Sequence, residues 1–271
     1  MNKYLYILIT ILILTSWFGL PLIVLATTEI FATSTTWVAP SGVTSVDVEA
    51  WGGGGAGIGD SGSSSNRKTG GGGGAYAKKS GISVTPGNSY TVTVGIGGVG
   101  TQDFNAAASG TASWFLSTST VYAAPGEGGK VSGSTVATSL GGQASSSIGD
   151  VVFSGGDSPG HNNAFDGMGG GGGAGDSADG SDGGTTNGGA GGATGGGDGG
   201  GESDTLSVQD GKELAGGGGD RFSSTGRGGH GFRGEVRITY TASTSSSPSP
   251  IISTSQTAGS MSITSGSYTI Q

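Results

Sequence analysis

The chain has no cysteine. Disulfide staples and thiolate metal sites are excluded in any redox compartment. Its two histidines, His161 and His230, are too few for a histidine metal cage and a thin supply for acid–base chemistry. Charged residues make up 11% of the 271 residues and aromatics 7%. Basic residues are the scarcer sign, 11 against 19 acidic, for a formal net charge of −8. That sign argues against nucleic acid or an anionic membrane surface as partner. No Asn-x-Ser/Thr sequon occurs, so N-glycosylation is not expected.

One hydrophobic run is present, from Tyr4 to Ala26, behind the basic start Met1-Asn2-Lys3. It ends Val24-Leu25-Ala26, with small or β-branched residues where a signal peptidase wants them. This predicts a secretory signal cleaved before Thr27. The run also reaches the ~20 residues that a membrane anchor needs. Gly19 and Pro21 break a helix just before the site and favour cleavage. In either case residues 27 onward are predicted to be secreted or held at the cell surface, touching a membrane only through residues 4–26. Loss of Lys3 leaves 10 basic residues against 19 acidic, a net charge of −9.

What is abundant is glycine, 63 residues of it. Residues 168–201 are nearly all glycine, broken by small and acidic residues. Glycine has no side chain to bury and loses the most backbone freedom on folding. A side-chain-packed core is impossible there. Either the tract is low-complexity spacer, or backbone packs on backbone. Helices of the polyproline-II type have about three residues per turn and no internal hydrogen bonds, and glycine lets them approach closely. Side by side, such helices satisfy each other's N–H and C=O groups. The aromatics Trp51, Tyr76, Phe104, Trp114 and Phe165 beside the glycine runs favour the ordered form.

Strand patterns frame the glycine. Residues 27–34 read as a polar lead-in. Trp37-Val38 reads as a short strand, and Val43 to Trp51 alternates, with Val46, Val48 and Ala50 opposite Asp47 and Glu49. Ile82-Ser83-Val84 and Tyr90 to Val94 flank Pro86-Gly87-Asn88, which predicts a hairpin. Weaker strands are expected at Ala112–Leu116, Val121–Ala124 and Val151–Phe153. The last strand, Glu235–Tyr240, has Val236, Ile238 and Tyr240 on one face. Its Arg237 complements Asp47 and Glu49, so the first and last strong strands are predicted to share a sheet. Residues 242–250 form a Ser/Pro linker, and 251–271 a short β-prone tail.

The segments "TTWVAPSGVTSVDVEAWGGGG", "GGGGGAYAKKSGISVTPGNSYTVTVGIGGVG" and "GGHGFRGEVRITY" resemble a glycine-rich domain family. That family occurs in exported bacterial surface proteins and in phage tail-fibre tip adhesins, and the resemblance covers about residues 35–241. It implies a mainly β fold with irregular glycine-rich regions: a small β base carrying a polyglycine-II-type helix bundle, with no α-helix after the signal segment. In the adhesins, variable segments between glycine motifs touch the receptor. The matching segments here are 60–69, 102–109, 157–166, 202–214 and 220–225. The signal segment is a departure, because phage adhesins need none.

Chemical motifs are sparse. Gly95-Ile96-Gly97-Gly98-Val99-Gly100 matches G-x-G-x-x-G, but no helix or acidic residue follows where a dinucleotide site needs one. Gly156-Asp157-Ser158-Pro159-Gly160 matches the nucleophile-elbow pattern without the required helix. Gly59-Asp60-Ser61-Gly62 has no preceding histidine. Arg227 to Gly234 has only two arginines in an acidic chain, against a nucleic-acid role. Gly199 to Ser207 approaches a calcium-repeat sequence once, without tandem copies. Asp176, Asp179 and Asp182 lie on one edge of a three-per-turn helix, as a solvated face or as cation ligands. No catalytic set, metal or cofactor is expected. The reading is a non-enzymatic exported structural or adhesive module, with a calcium-stabilised matrix protein or a flexible spacer as alternatives. Candidate contact residues are Phe104, His161, Asn162, Asn163, Phe165 and Phe222, and the candidate partner is a surface glycan or protein receptor.

Overall fold

The computed structural model describes residues 26–59, 67–101, 107–132, 137–160, 168–201, 209–220 and 226–242. These form β1 (Ala26–Phe31), β2 (Thr35–Val38), β3 (Ser45–Trp51), β4 (Arg67–Lys68), β5 (Tyr76–Ser83), β6 (Ser89–Thr93) and β7 (Ser113–Phe115). There follow β8 (Val121–Ala123), β9 (Val131–Ser132), β10 (Thr138–Ser139), β11 (Val151–Phe153), β12 (Ser158–Pro159) and β13 (Glu235–Thr241). Among the described residues the only helical element is a single 3₁₀ turn, Ala144–Ser146.

Two sheets make the base. One has the order β1-β13-β3-β5-β11, the other β2-β6-β7-β8. The inward positions of β3, Val46, Val48 and Ala50, join Val236 and Ile238 of β13 in the core. Trp37, Val92, Phe115 and Val121 enter that core from the second sheet. Burying each such side chain contributes about 1.5–3 kcal/mol.

β3 and β13 pair antiparallel, as predicted, with Arg237 opposite Glu49. The ion pairs run differently. Glu49 pairs with Lys78, its cross-strand partner on β5, at 3.8 Å. Arg237 Nε instead bonds Glu235 at 2.8 Å.

Two expectations are corrected. The predicted hairpin around Pro86-Gly87-Asn88 is not one. Its first arm, β5, lies in the five-stranded sheet, and its second, β6, in the four-stranded sheet. The turn carries the chain across the sandwich, pinned by Gly87 N–H to Ala39 O and Ala39 N–H to Asn88 O. Gly87 has φ +81°, which favours glycine. The lead-in, for its part, contains a strand. β1 pairs along its length with β13, Ala26 opposite Thr241 and Phe31 opposite Val236. Its Glu29 carboxylate accepts hydrogen bonds from Trp37 Nε1 and the Tyr240 hydroxyl.

The glycine segments leave the ends of these strands and pair backbone to backbone. Gly52 and Gly55 donate to Ala75 and Gly72; Gly53 and Ala56 to Thr111 and Ala108; Gly54 and Gly57 to Phe232 and Gly229. Each pair of donors is three residues apart and meets one neighbouring segment. The carbonyls of Gly53 and Ala56 accept from Gly126 and Gly129, that of Gly54 from Gly98 and that of Gly55 from Gly218. Residues 52–57 therefore bond to six neighbouring segments. Residues 169–174 repeat the pattern, donating in threes to 184 and 181, 200 and 197, and 71 and 74. The spacing leaves no room for side chains. A Cβ on Gly55 would lie 1.9 Å from Glu127 O.

Candidate functional site

Three features carry chemistry. The first is the end of the glycine region away from β3 and β5. Six internal stretches lie outside the described residues: 60–66, 102–106, 133–136, 161–167, 202–208 and 221–225. All six candidate contact residues, Phe104, His161, Asn162, Asn163, Phe165 and Phe222, fall within them and so outside the described residues. The described ends of these stretches meet one another. Gly59 and Gly228 both donate to Thr101 O. β4 pairs with β9, and β10 with β12. Thr69 Oγ1 bonds Ser139 Oγ, and Ser158 Oγ donates to Gly169 O. Met168 N–H donates to the Asp220 carboxylate while Asp220 N–H donates to Met168 O. Gly219 N–H reaches Gln209 O.

Ser158, the nucleophile of the elbow-like motif, thus sits in a two-residue strand and spends its hydroxyl on a backbone carbonyl. The G-x-G-x-x-G stretch is glycine backbone packed against its neighbours. Gly98 N–H donates to Gly54 O, and Gly231 N–H to Gly98 O.

The second feature is a set of side chains that accept hydrogen bonds from backbone amides of neighbouring segments. Asp179 accepts Ser154 N–H at 2.7 Å and Asp182 accepts Asp157 N–H at 2.8 Å. Asp157 in turn accepts Gly141 N–H, Asp198 accepts Gly191 N–H and Asp210 accepts His230 N–H. His230 Nδ1 accepts Gly100 N–H at 3.0 Å. Glu127 accepts Leu140 N–H and bonds Lys130 Nζ. Burial pushes the Glu127 carboxyl up, but the Lys130 and Leu140 hydrogen bonds and the Lys130 charge more than offset it, holding it below its ordinary range. The three-residue spacing of Asp179 and Asp182 therefore serves as a ladder of backbone acceptors. The same segment adds backbone bonds beside the carboxylates: Gly180 N–H donates to Ser154 O and Gly183 N–H to Asp157 O.

The third feature is the junction between base and glycine region. Trp51 is fully buried, and its Nε1 donates to Ala174 O at 3.1 Å. Its ring packs on Tyr76 at 4.9 Å and carries the Arg237 guanidinium at 4.5 Å on its face. Tyr76 donates its hydroxyl to Glu49 at 2.7 Å. Burial, then that hydrogen bond, drives the Tyr76 phenol far above the usual tyrosine range. Glu235 is buried between Arg233 and Arg237. Beside this cluster opens a groove of about 690 Å³ lined by Asp198, Lys212, Glu213, Leu214, Phe232 and Arg237. A second hollow of about 300 Å³, lined by Thr186, Asn187 and Gln209, shares Asp198 and Lys212 with it. Of these, sequence reasoning reached only Gln209, Lys212, Glu213 and Leu214, through the segment 202–214, and singled out none of them. They come from segments far apart in the chain, and no local pattern announces that they meet.

A family model described as a glycine-rich domain matches residues 28–241. The chain belongs to this glycine-rich domain family. The match begins within β1 and ends at the last residue of β13, so the antiparallel β1–β13 pair brings both limits of the glycine-rich domain together. No curated protein is significantly similar to the chain.

Proposed function

We propose that the chain is an exported, non-enzymatic surface module. Its β base carries a rigid bundle of polyglycine-II-type helices that presents loops at the far end to a surface glycan or protein receptor. The observation that carries this reading is the three-residue hydrogen-bond repeat, with six neighbours around residues 52–57. A helix with about three residues per turn and outward N–H and C=O groups produces that pattern when packed among its own kind. At ~3.1 Å per residue, Gly52–Gly59 extends about 25 Å from the end of β3. Pairing of the backbone in every direction makes such a bundle stiff, and the loop ends meet at its tip. Export rests on the apolar run 4–26 behind Lys3.

In this reading Phe104, His161, Asn162, Asn163, Phe165 and Phe222 are the contact side chains. Aromatic anchors supply most of the energy at many interfaces. The test replaces each of the six tip stretches with Gly/Ser of equal length in the full chain. Adhesion to target cells should fall in at least one replacement while the thermal midpoint stays. Parental adhesion in all six would refute the tip reading.

A further inference from the structure

We propose that Asn187 is a covalent modification site, at which the main chain closes on the side chain, expels ammonia and leaves aspartate or isoaspartate. The proposal depends neither on the tip stretches nor on export. Asn187-Gly188 is the single Asn-Gly pair in the chain. Asparagine is among the heat-labile residues. A glycine after it leaves the peptide nitrogen unshielded and the backbone free to turn toward the side chain.

The fold leaves this pair open. Residues 185–187 form an exposed bend between two paired arms. Ser181 N–H bonds Ala190 O, and Gly184 N–H bonds Asn187 O at 2.8 Å. Beyond the bend, Gly189 and Gly192 donate to Gly170 O and Gly173 O. Among the described residues neither the Gly188 N–H nor the Asn187 side chain makes a hydrogen bond. The bond from Gly184 also polarises the Asn187–Gly188 peptide, which makes the Gly188 N–H easier to deprotonate.

Four Asp-Gly pairs have the same intrinsic chemistry and are held shut. Gly180, Gly183, Gly199 and Gly211 donate their N–H groups to Ser154, Asp157, Gly189 and His230 carbonyls. The carboxylates of Asp179, Asp182, Asp198 and Asp210 are committed to other backbone amides. Cyclisation at any of these pairs must break both bonds first. A further pair, Asp166-Gly167, lies outside the described residues.

The reaction needs only water. Gly188 N gives up its proton and attacks Asn187 Cγ. The N–Cγ bond forms, the Cγ–Nδ2 bond breaks, and Nδ2 leaves with the proton as ammonia. Water then opens the cyclic imide. Opening at Cγ gives aspartate in a normal main chain. Opening at the Asn187 main-chain carbonyl gives isoaspartate, and the chain then runs through the side-chain carbons. Nothing is oxidised or reduced. Either product adds a negative charge. Isoaspartate also turns the carbonyl that Gly184 bonds into a free carboxylate. Ammonia escapes, so the modified fraction rises with the age of the chain.

The test holds the folded full chain at neutral pH until a synthetic peptide of residues 185–190 is half converted. Peptide mapping by mass spectrometry then locates deamidation, and protein isoaspartate methyltransferase with a labelled methyl donor locates isoaspartate. Conversion at Asn187 is expected, about tenfold or more above that at any of the four Asp-Gly pairs. In urea those four pairs should speed up, because their amides are released. Asn187→Gln would need a larger ring and should remove the label from this peptide. The proposal is overturned if Asn187 stays intact in the folded chain over that time. It is also overturned if any of the four Asp-Gly pairs converts as fast as Asn187, if none of the four speeds up on unfolding, or if the label persists in Asn187→Gln.

Discussion

At the scale of single residues, glycine does two separable jobs. At Gly55 it allows backbone to lie against backbone, since a Cβ would sit 1.9 Å from Glu127 O. At Gly87 nothing lies within 4 Å of the added Cβ, and only the φ of +81° matters. Gly55→Ala should cost more than the ~1–3 kcal/mol of an overpacked core, because the obstacle is backbone. Gly87→Ala should cost about 1–2 kcal/mol. Denaturant midpoints of the two variants decide this, and an equal or reversed order would contradict the packing. Tyrosines give a second residue-scale check. The Tyr240 phenol is pushed up to about 12, first by its hydrogen bond to Glu29 and then by burial, and Tyr76 is raised further by burial and Glu49. Between the ordinary value near 10 and these raised values, the folded chain holds protons that the unfolded chain has lost. Their contribution is fully present below pH ~10 and is lost as pH rises through the folded-state values. An ultraviolet phenolate titration should show two late tyrosines that ionise together with unfolding. If every tyrosine ionised at its ordinary value while the chain stayed folded, Glu29 and Glu49 would not be their partners.

At the scale of elements, acidic side chains complete what glycine begins. Asp179 accepts Ser154 N–H beside the bond from Gly180 N–H to Ser154 O, so that one segment pairs both backbone groups of Ser154. Asp179→Ala should lower stability by ~0.5–1.5 kcal/mol, whereas Asp179→Asn, which keeps an acceptor, should lower it less. Equal loss in both variants would show that charge rather than acceptor geometry matters. The spacing of Asp179 and Asp182 was legible in the sequence, but their targets were not, because Ser154 and Asp157 lie on another segment. The strands divide the same way. Val46, Val48 and Ala50 alternate cleanly and are buried as expected. β1 escaped notice because it is mostly exposed and hides no continuous face. The Pro86-Gly87-Asn88 turn was visible, but turn chemistry is local and does not say which sheet receives the next strand. The groove was the least legible feature. Arg237 reads as an outward charge until Trp51, Glu235 and the 195–198 and 212–214 segments are placed around it.

At the scale of the whole molecule, a sandwich with a conventional apolar core supports a region whose cohesion is hydrogen bonding. Trp51 links the two, with its ring among Tyr76, Ala215 and Arg237 and its Nε1 on Ala174 O. Residues 52–57, 71–75 and 169–174 are interior backbone whose amides are paired. Site-resolved amide hydrogen exchange on the full chain tests this pairing. These amides should exchange as slowly as those of Val48 and Ile238 in the sandwich core, because they open only with the fold. Exchange at the unfolded-chain rate in these three segments, with the sandwich still protected, would contradict it.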